Sequence, residues 1–280
     1  MSFLSSLMNA LPGAVAQGLA WGIMAIGVYI TFRILDVADL TVDGSLATGG
    51  AVCVMLIRAG VNPWLAMLCA LVSGMLAGLV TGLFHTRCGI PAILAGILTQ
   101  LALYSINLRI MGGKANQAVS VDKYHLLLSQ RYVRELSLDN PLPLLVVLTA
   151  VIVAALYWFF GTEKGSSVRA TGANPHMARA QGINTSANIV LGLMLSNGLV
   201  ALSGALLAQY QGSSDINMGR GAIVYYIVLQ IVLQIGLNTN DLKLITALIV
   251  ALFLTLSYLN LKKNRRKPQR TAKEGVEQHA

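Results

Sequence analysis

Long apolar runs separated by short polar stretches constrain this chain more than any other property. Residues 14–32, 44–58, 63–84, 91–111, 141–160, 187–208, 221–237 and 242–261 form eight such segments, of which 44–58 is short. A hydrocarbon core about 30 Å thick takes roughly 20 residues of helix to cross. Every backbone N–H and C=O there must be satisfied within its own segment. With 11% charged residues among 280 and a mean hydropathy of +0.67, the chain carries more apolar side chain than one water-soluble core could hide. The expected fold class is therefore all-α: a polytopic transmembrane helix bundle of about eight hydrophobic segments over residues 1–261. A basic, disordered tail follows at 262–280.

The net charge of +9 does not describe a nucleic-acid-binding face. Lys262, Lys263, Arg265, Arg266, Lys267, Arg270 and Lys273 crowd one end, which is a topology and lipid-headgroup signal. The first 32 residues hold no Lys or Arg, so no positively charged leader is expected, and 14–32 reads as a retained span with its N-terminal end outside. The polar stretch 161–186 carries Lys164, Arg169 and Arg179 against Glu163 and is expected in the cytoplasm. The stretch 112–140 mixes Lys114, Lys123, Arg131 and Arg134 with Asp122, Glu135 and Asp139, and its charge leaves its side open. Alternating crossings satisfy the charge rule as far as 186. Three further segments would then put the basic tail outside, so either one segment is re-entrant, or 44–58 is not a full crossing, or a span is missing near Met218–Gly221.

Packing and interface signals are ordinary for such a bundle. Gly74, Gly78 and Gly82 recur every fourth residue, a spacing that lets a neighbouring helix backbone approach closely. Trp64, Tyr157, Trp158 and Tyr258 fall near segment ends, where amphipathic rings anchor the interface. Cys53, Cys69 and Cys88 lack any metal-ligand spacing and read as packing residues.

Two stretches carry the functional signals. Asp36, Asp39 and Asp43 lie between two apolar segments and lead into Gly44-Ser45. This is either an ordinary turn capping a helix or a helix terminus facing a solute path. In the second stretch, Asn174-Pro175 starts a short helix over 174–181 and Gly182 stops it. From the residues alone it lies across the cytoplasmic surface as an interfacial element. No ATPase or hydrolase motif is present: Gly112-Gly113-Lys114 runs into Ala115 and lacks phosphate-loop spacing, and His85, His125, His176 and His279 are scattered. No catalytic residue, metal site or cofactor is expected.

The run from Arg169 to Asn184 resembles the cytoplasmic coupling loop of permease subunits of ABC importers of the branched-chain amino acid and ribose type, with the pattern R-A-x-G-x-N-P, then A, then G-I-N. Asp39-Leu40-Thr41-Val42-Asp43-Gly44-Ser45 is similar to an early element of the same permeases, in the branch linked to aromatic amino acids or similar solutes. The resemblance implies that Glu163, Arg169, Gly172, Asn174, Pro175, Arg179, Gly182 and Ile183 couple the permease to a cytoplasmic ATP-binding subunit. It also implies an extracytoplasmic solute-binding protein, a homodimer with the path at its two-fold interface, contact with membrane lipid, and a multi-pass location in the bacterial plasma (inner) membrane. Asp39, Thr41, Asp43, Ser45, Asn107 and Asn197 are the expected pathway residues, with Gln100 a further polar group in an apolar segment. Interhelical hydrogen bonding is the other reading of Asn107, Asn197 and Gln100. After Ile216-Asn217-Met218-Gly219, where such permeases continue into a further glycine-rich segment, this chain passes from Gly221 almost directly to Tyr225, as if an internal stretch were absent. The competing functional reading is a self-sufficient ion-coupled carrier with Asp39 or Asp43 as the coupling acid.

Overall fold

Helices longer than a bilayer's apolar requirement organise the computed structural model of the chain, which describes residues 3–119, 124, 126–128 and 142–218, all within the unit Met1–Arg220. The expected segments 221–237 and 242–261, the basic tail, Tyr258, the charged residues of 120–140 and the Gly219–Gly221 junction lie outside the described residues. In chain order the helices are α1 (Phe3–Tyr29), α2 (Val42–Arg58), α3 (Pro63–Thr86), α4 (Ala92–Ile110), α5 (Leu142–Gly161), α6 (Glu163–Ala173), α7 (Pro175–Ala180) and α8 (Thr185–Gln211). Five spans among the described residues are long and apolar enough to cross a membrane: Pro12–Ile34, α3, α4, α5 and α8.

Helix α8 is the axis of the bundle. From Ser196 to Tyr210 every side chain is buried, because α1, α2 and α3 pack around it. The glycine periodicity of α3 is the reason that helix fits so tightly. A methyl group at Gly74 would meet the Asn197 carbonyl and one at Gly78 the Leu193 carbonyl, while Gly82 faces Val190. Backbone-to-backbone approach of this kind maximises dispersion contact where no hydrophobic driving force exists between helices. Against α1, α8 adds hydrogen bonds to carbonyls: Ser196 Oγ donates to Gly27 (2.7 Å), Ser203 Oγ to Ala20 (2.7 Å) and Tyr210 OH to Gly13 (3.2 Å). Those contacts run in opposite senses along the two helices, so α1 and α8 are antiparallel. Helix α5, which buries only Leu145, leans on α1 from outside, and its Tyr157 and Trp158 are exposed.

The short apolar segment at 44–58 has a structural explanation. Helix α1 ends in a π-helical turn at Ile30–Ile34, the chain reverses through Asp36 with φ of 55°, and residues 36–40 run without helical structure. Helix α2 begins only at Val42, beside the middle of α8. Ser45 hydrogen-bonds Asn197, the thirteenth of the 27 residues of α8, about 18 Å along that helix at 1.5 Å per residue. Helix α2, with 17 residues against the 27 of α8, is thus a shortened element entered by non-helical backbone at mid-bundle, a form tolerated in membranes only where protein surrounds it.

Two features add to the expected bundle. The stretch 161–186 holds two helices and not one, because Thr162 caps α6 by accepting from Gly165 N (3.3 Å) and Glu163 sits favourably in its first turn. The helical fold expected from the sequence also carries one small two-stranded ribbon. Strands β1 (Asn116–Ala118) and β2 (Ser213–Asp215) pair antiparallel, with Gln117 opposite Ser214. The left-handed Gly212 (φ 66°) ends α8 and turns the chain into β2, and Arg58, closing α2, donates a hydrogen bond to Gln117.

Candidate functional site

The six expected pathway residues divide into two groups. Asp39, Thr41, Ser45 and Asn197 form one buried hydrogen-bonded joint. Asn197 Nδ2 donates to Asp39 Oδ2 (2.6 Å) and to its own Leu193 carbonyl (3.0 Å), and Asn197 Oδ1 accepts from Ser45 Oγ (2.6 Å). The other oxygen of Asp39 accepts from Thr41 N (2.8 Å), and the Thr41 hydroxyl pairs with Thr81 on α3 (2.8 Å). Thr41, Ser45 and Asn197 have no solvent exposure. These groups position the start of α2 against α3 and α8, the interhelical alternative left open for Asn197. Thr81 was not singled out from sequence, since a lone threonine in an apolar run carries no signal of its own.

Asp43 and Asn107 instead line a pocket of about 400 Å³ between the N-terminal turn of α2 and one side of α4, with Gln100, Tyr104, Leu101 and Ile216 among its walls. Ile97, Gln100, Leu101, Tyr104 and Asn107 follow helical spacing on α4, which places them on one side. Gly44 lets the two helices meet, because a side chain there would press on Leu103 and the Gln100 backbone. Asn107 is 1% exposed; its Nδ2 reaches the Gly44 carbonyl at 3.5 Å, and its Oδ1 has no hydrogen-bond partner.

At the end of the bundle where α1 finishes and α8 begins, α6 and α7 form a rigid bracket. Asn174 caps α7, its Oδ1 accepting from His176 N and Met177 N (both 3.1 Å). Gly182, with φ of 76°, supplies the left-handed residue that stops it. Gly172 brings α6 against the Ile34 carbonyl, too close for any side chain. Two bonds tie the bracket to α8: Arg179 Nε to Thr185 Oγ1 (2.8 Å) and Asn188 Nδ2 to Thr171 Oγ1 (3.0 Å). Glu163, Arg169, Asn174, Pro175, Arg179 and Gly182 are exposed, and Ile183 is half-buried. Among the described residues Arg169 reaches Ser166, at 3.4 Å. Met177, absent from the expected set, is 61% exposed at the tip of α7. Its only sequence cue is its place inside the Asn-Pro helix.

A bundle of five span-length helices among the described residues, with a shortened helix at its centre and a polar bracket at one end, defines a multi-pass membrane protein. The chain belongs to the family described as the permease component of the branched-chain amino acid transport system, whose profile matches residues 11–266. It is 36% identical to the tyrosine transport system permease protein of Clostridioides difficile, over 91% of this chain and 93% of that one. It is 32% identical to an uncharacterised protein of Rickettsia prowazekii (89% and 98% covered) and 29% identical to the autoinducer 2 import system permease protein LsrC of Yersinia pestis (83% and 64% covered). No solved structure matches the chain. The protein is therefore a permease component of an ABC transport system and not an enzyme. ATP hydrolysis belongs to a separate ATP-binding subunit, and a substrate-binding protein is the other partner that the family implies.

Proposed function

We propose that this chain is the translocating subunit of a bacterial inner-membrane importer for an amino-acid-like solute, working as a homodimer and driven through α6 and α7. The observation that carries the reading is the bracket: a short helix with an exposed tip, bonded at both ends of its loop to the axial helix α8. A push on such an element moves α8 as a rigid body, and α8 holds the start of α2 through Asn197. Closure of ATP-binding subunits against Met177 and Arg179 thereby reaches the middle of the membrane. The amino-acid reading draws on the tyrosine transport relative. The homodimer draws on α4, where Gln100 lies on a side otherwise exposing Ile97 and Leu101; a polar side chain at membrane depth favours protein or water over lipid, and a second copy would close the path there.

The chain as a whole would hold about eight segments, with a stretch missing beyond Met218. The match to the Clostridioides relative supports this: it runs over 285 positions but draws on 91% of this chain, about 255 of its 280 residues, so about 30 positions have no counterpart here. The test of coupling is co-purification of tagged permease with its ATP-binding subunit. Met177→Glu, which adds charge at an exposed tip without touching the core, is expected to lose the partner at least tenfold while the permease stays monodisperse. Full retention would refute the role of α7.

A further inference from the structure

We propose that the groove between the end of α3 and the start of α8 seats an anionic phospholipid of the cytoplasmic leaflet, one acyl chain between the helices and the phosphate on Arg87. The groove measures about 480 Å³, within the roughly 300–1,000 Å³ found for small-molecule sites. Gly82 brings α3 against Val190, and Leu79 and Leu83 of α3 with Leu191 and Met194 of α8 complete its apolar lining. The order of the glycine contacts, Gly74 on Asn197, Gly78 on Leu193 and Gly82 on Val190, makes the two helices antiparallel. Both walls therefore start from the same end of the bundle. At about 1.5 Å per residue the lining runs about 12 Å from Arg87 to Leu79 on α3 and about 12 Å from Ser186 to Met194 on α8. One leaflet's share of a hydrocarbon core about 30 Å thick is about 15 Å, so the groove has the reach of a single acyl chain.

Charge complementarity names the headgroup. Arg87 is exposed, and among the described residues it is the one charged side chain lining the groove. Its guanidinium presents a fork of donors that matches a phosphate. Asn184 Oδ1 already accepts from Ala187 N (3.1 Å), which leaves Nδ2 to donate, and the exposed Ser186 hydroxyl is a further donor at the same end. A basic mouth between helices at the cytoplasmic side suits an anionic headgroup. A soluble anion would leave the leucine walls uncovered, and a choline headgroup would bring a cation to a mouth that has no carboxylate among its lining residues. The seat also adjoins the bracket, because Thr185, between Asn184 and Ser186, holds Arg179 (2.8 Å).

The experiment is native mass spectrometry of the full-length permease with its ATP-binding subunit, titrated in detergent with phosphatidylglycerol or phosphatidylcholine, reading the affinity of the tightest-bound lipid. Phosphatidylglycerol is expected to bind about 5- to 10-fold more tightly, between the worth of one basic residue at an anionic surface and that of a charge-assisted hydrogen bond. Arg87→Gln should lose that factor. Lys164→Gln, which removes the same charge from an exposed position on α6 outside the groove, should keep it. Leu191→Trp, which crowds the groove without changing charge, should also weaken phosphatidylglycerol, and glycerol phosphate should not displace the lipid. Equal affinity for the two lipids, equal losses in Arg87→Gln and Lys164→Gln, or wild-type binding in Arg87→Gln or Leu191→Trp overturns the proposal. Displacement by glycerol phosphate overturns it in favour of a soluble-anion site, and a complex that retains no lipid overturns it in favour of a groove covered by protein. None of these outcomes bears on the permease reading, which stands on co-purification of the two subunits.

Discussion

Replacing Asn197 by alanine removes the side chain that joins α8 both to the non-helical stretch before α2 and to α2 itself. Two partners are lost at once: the buried Ser45 hydroxyl at 2.6 Å and the Asp39 carboxylate at 2.6 Å. Neutral interhelical hydrogen bonds in membranes contribute about 0.6 kcal/mol on average and about 1.7 at most. A bond to a charged group contributes about 1.5–3 kcal/mol. Asn197→Ala should therefore destabilise by about 2–5 kcal/mol. Asp39→Ala in the same background isolates the charged bond, for which a double-mutant cycle should return a coupling of about 1.5–3 kcal/mol. The assay is reversible unfolding in mixed micelles of rising SDS fraction, followed by far-UV circular dichroism. A coupling below about 0.5 kcal/mol, within the scatter expected of independent sites, would refute the argument that this joint holds α2 in place.

Gly78→Ala places a methyl group against the Leu193 carbonyl, and because the obstacle is backbone, the change should cost about 1–3 kcal/mol, read as a fall in unfolding midpoint and monodisperse yield. Cys88, exposed in the link between α3 and α4, lies at the same end as α6 and α7. A membrane-impermeant thiol reagent should label it in inside-out vesicles and not in intact cells, and labelling in intact cells would invert the topology. A C-terminal tag accessible to protease on intact cells would support the missing internal stretch, and an inaccessible one would remove the parity argument for it.

What was legible in the sequence were features whose cause is local. Gly74, Gly78 and Gly82 announce a close helix contact by spacing alone, and Asn174, Pro175 and Gly182 mark the bounds of α7 because capping chemistry acts within one turn. The shortness of α2 was visible, but its reason was not: the helix is held by Asn197, 152 positions after Ser45, and one-dimensional hydropathy carries no information about such a partner. Helix α6 was missed because Glu163–Ala173 has no apolar face to read, its order coming from the Thr162 cap and from Gly172 against Ile34. The β1–β2 pairing joins three-residue strands about a hundred residues apart, too short for any alternation to show. Among the expected pathway residues, side-chain type marked out Asp39, Thr41, Ser45 and Asn197, but only the fold separates that joint from the pocket of Asp43 and Asn107.

The late arrival of that partner has a consequence for how the protein is made. Helix α2 has 17 residues and falls outside the set of helices long and apolar enough to cross a membrane unaided, so its settled position waits for α8. The ribosome must add the 152 residues between Ser45 and Asn197 before the joint closes, which at about 5–20 residues per second takes roughly 10 to 30 s. Throughout that interval Asp39 and Ser45 sit in or beside the bilayer with their eventual α8 partner still unmade. Sequence changes that hasten or delay the synthesis of α8, without touching a single contact in the finished bundle, should therefore alter the yield of correctly inserted protein.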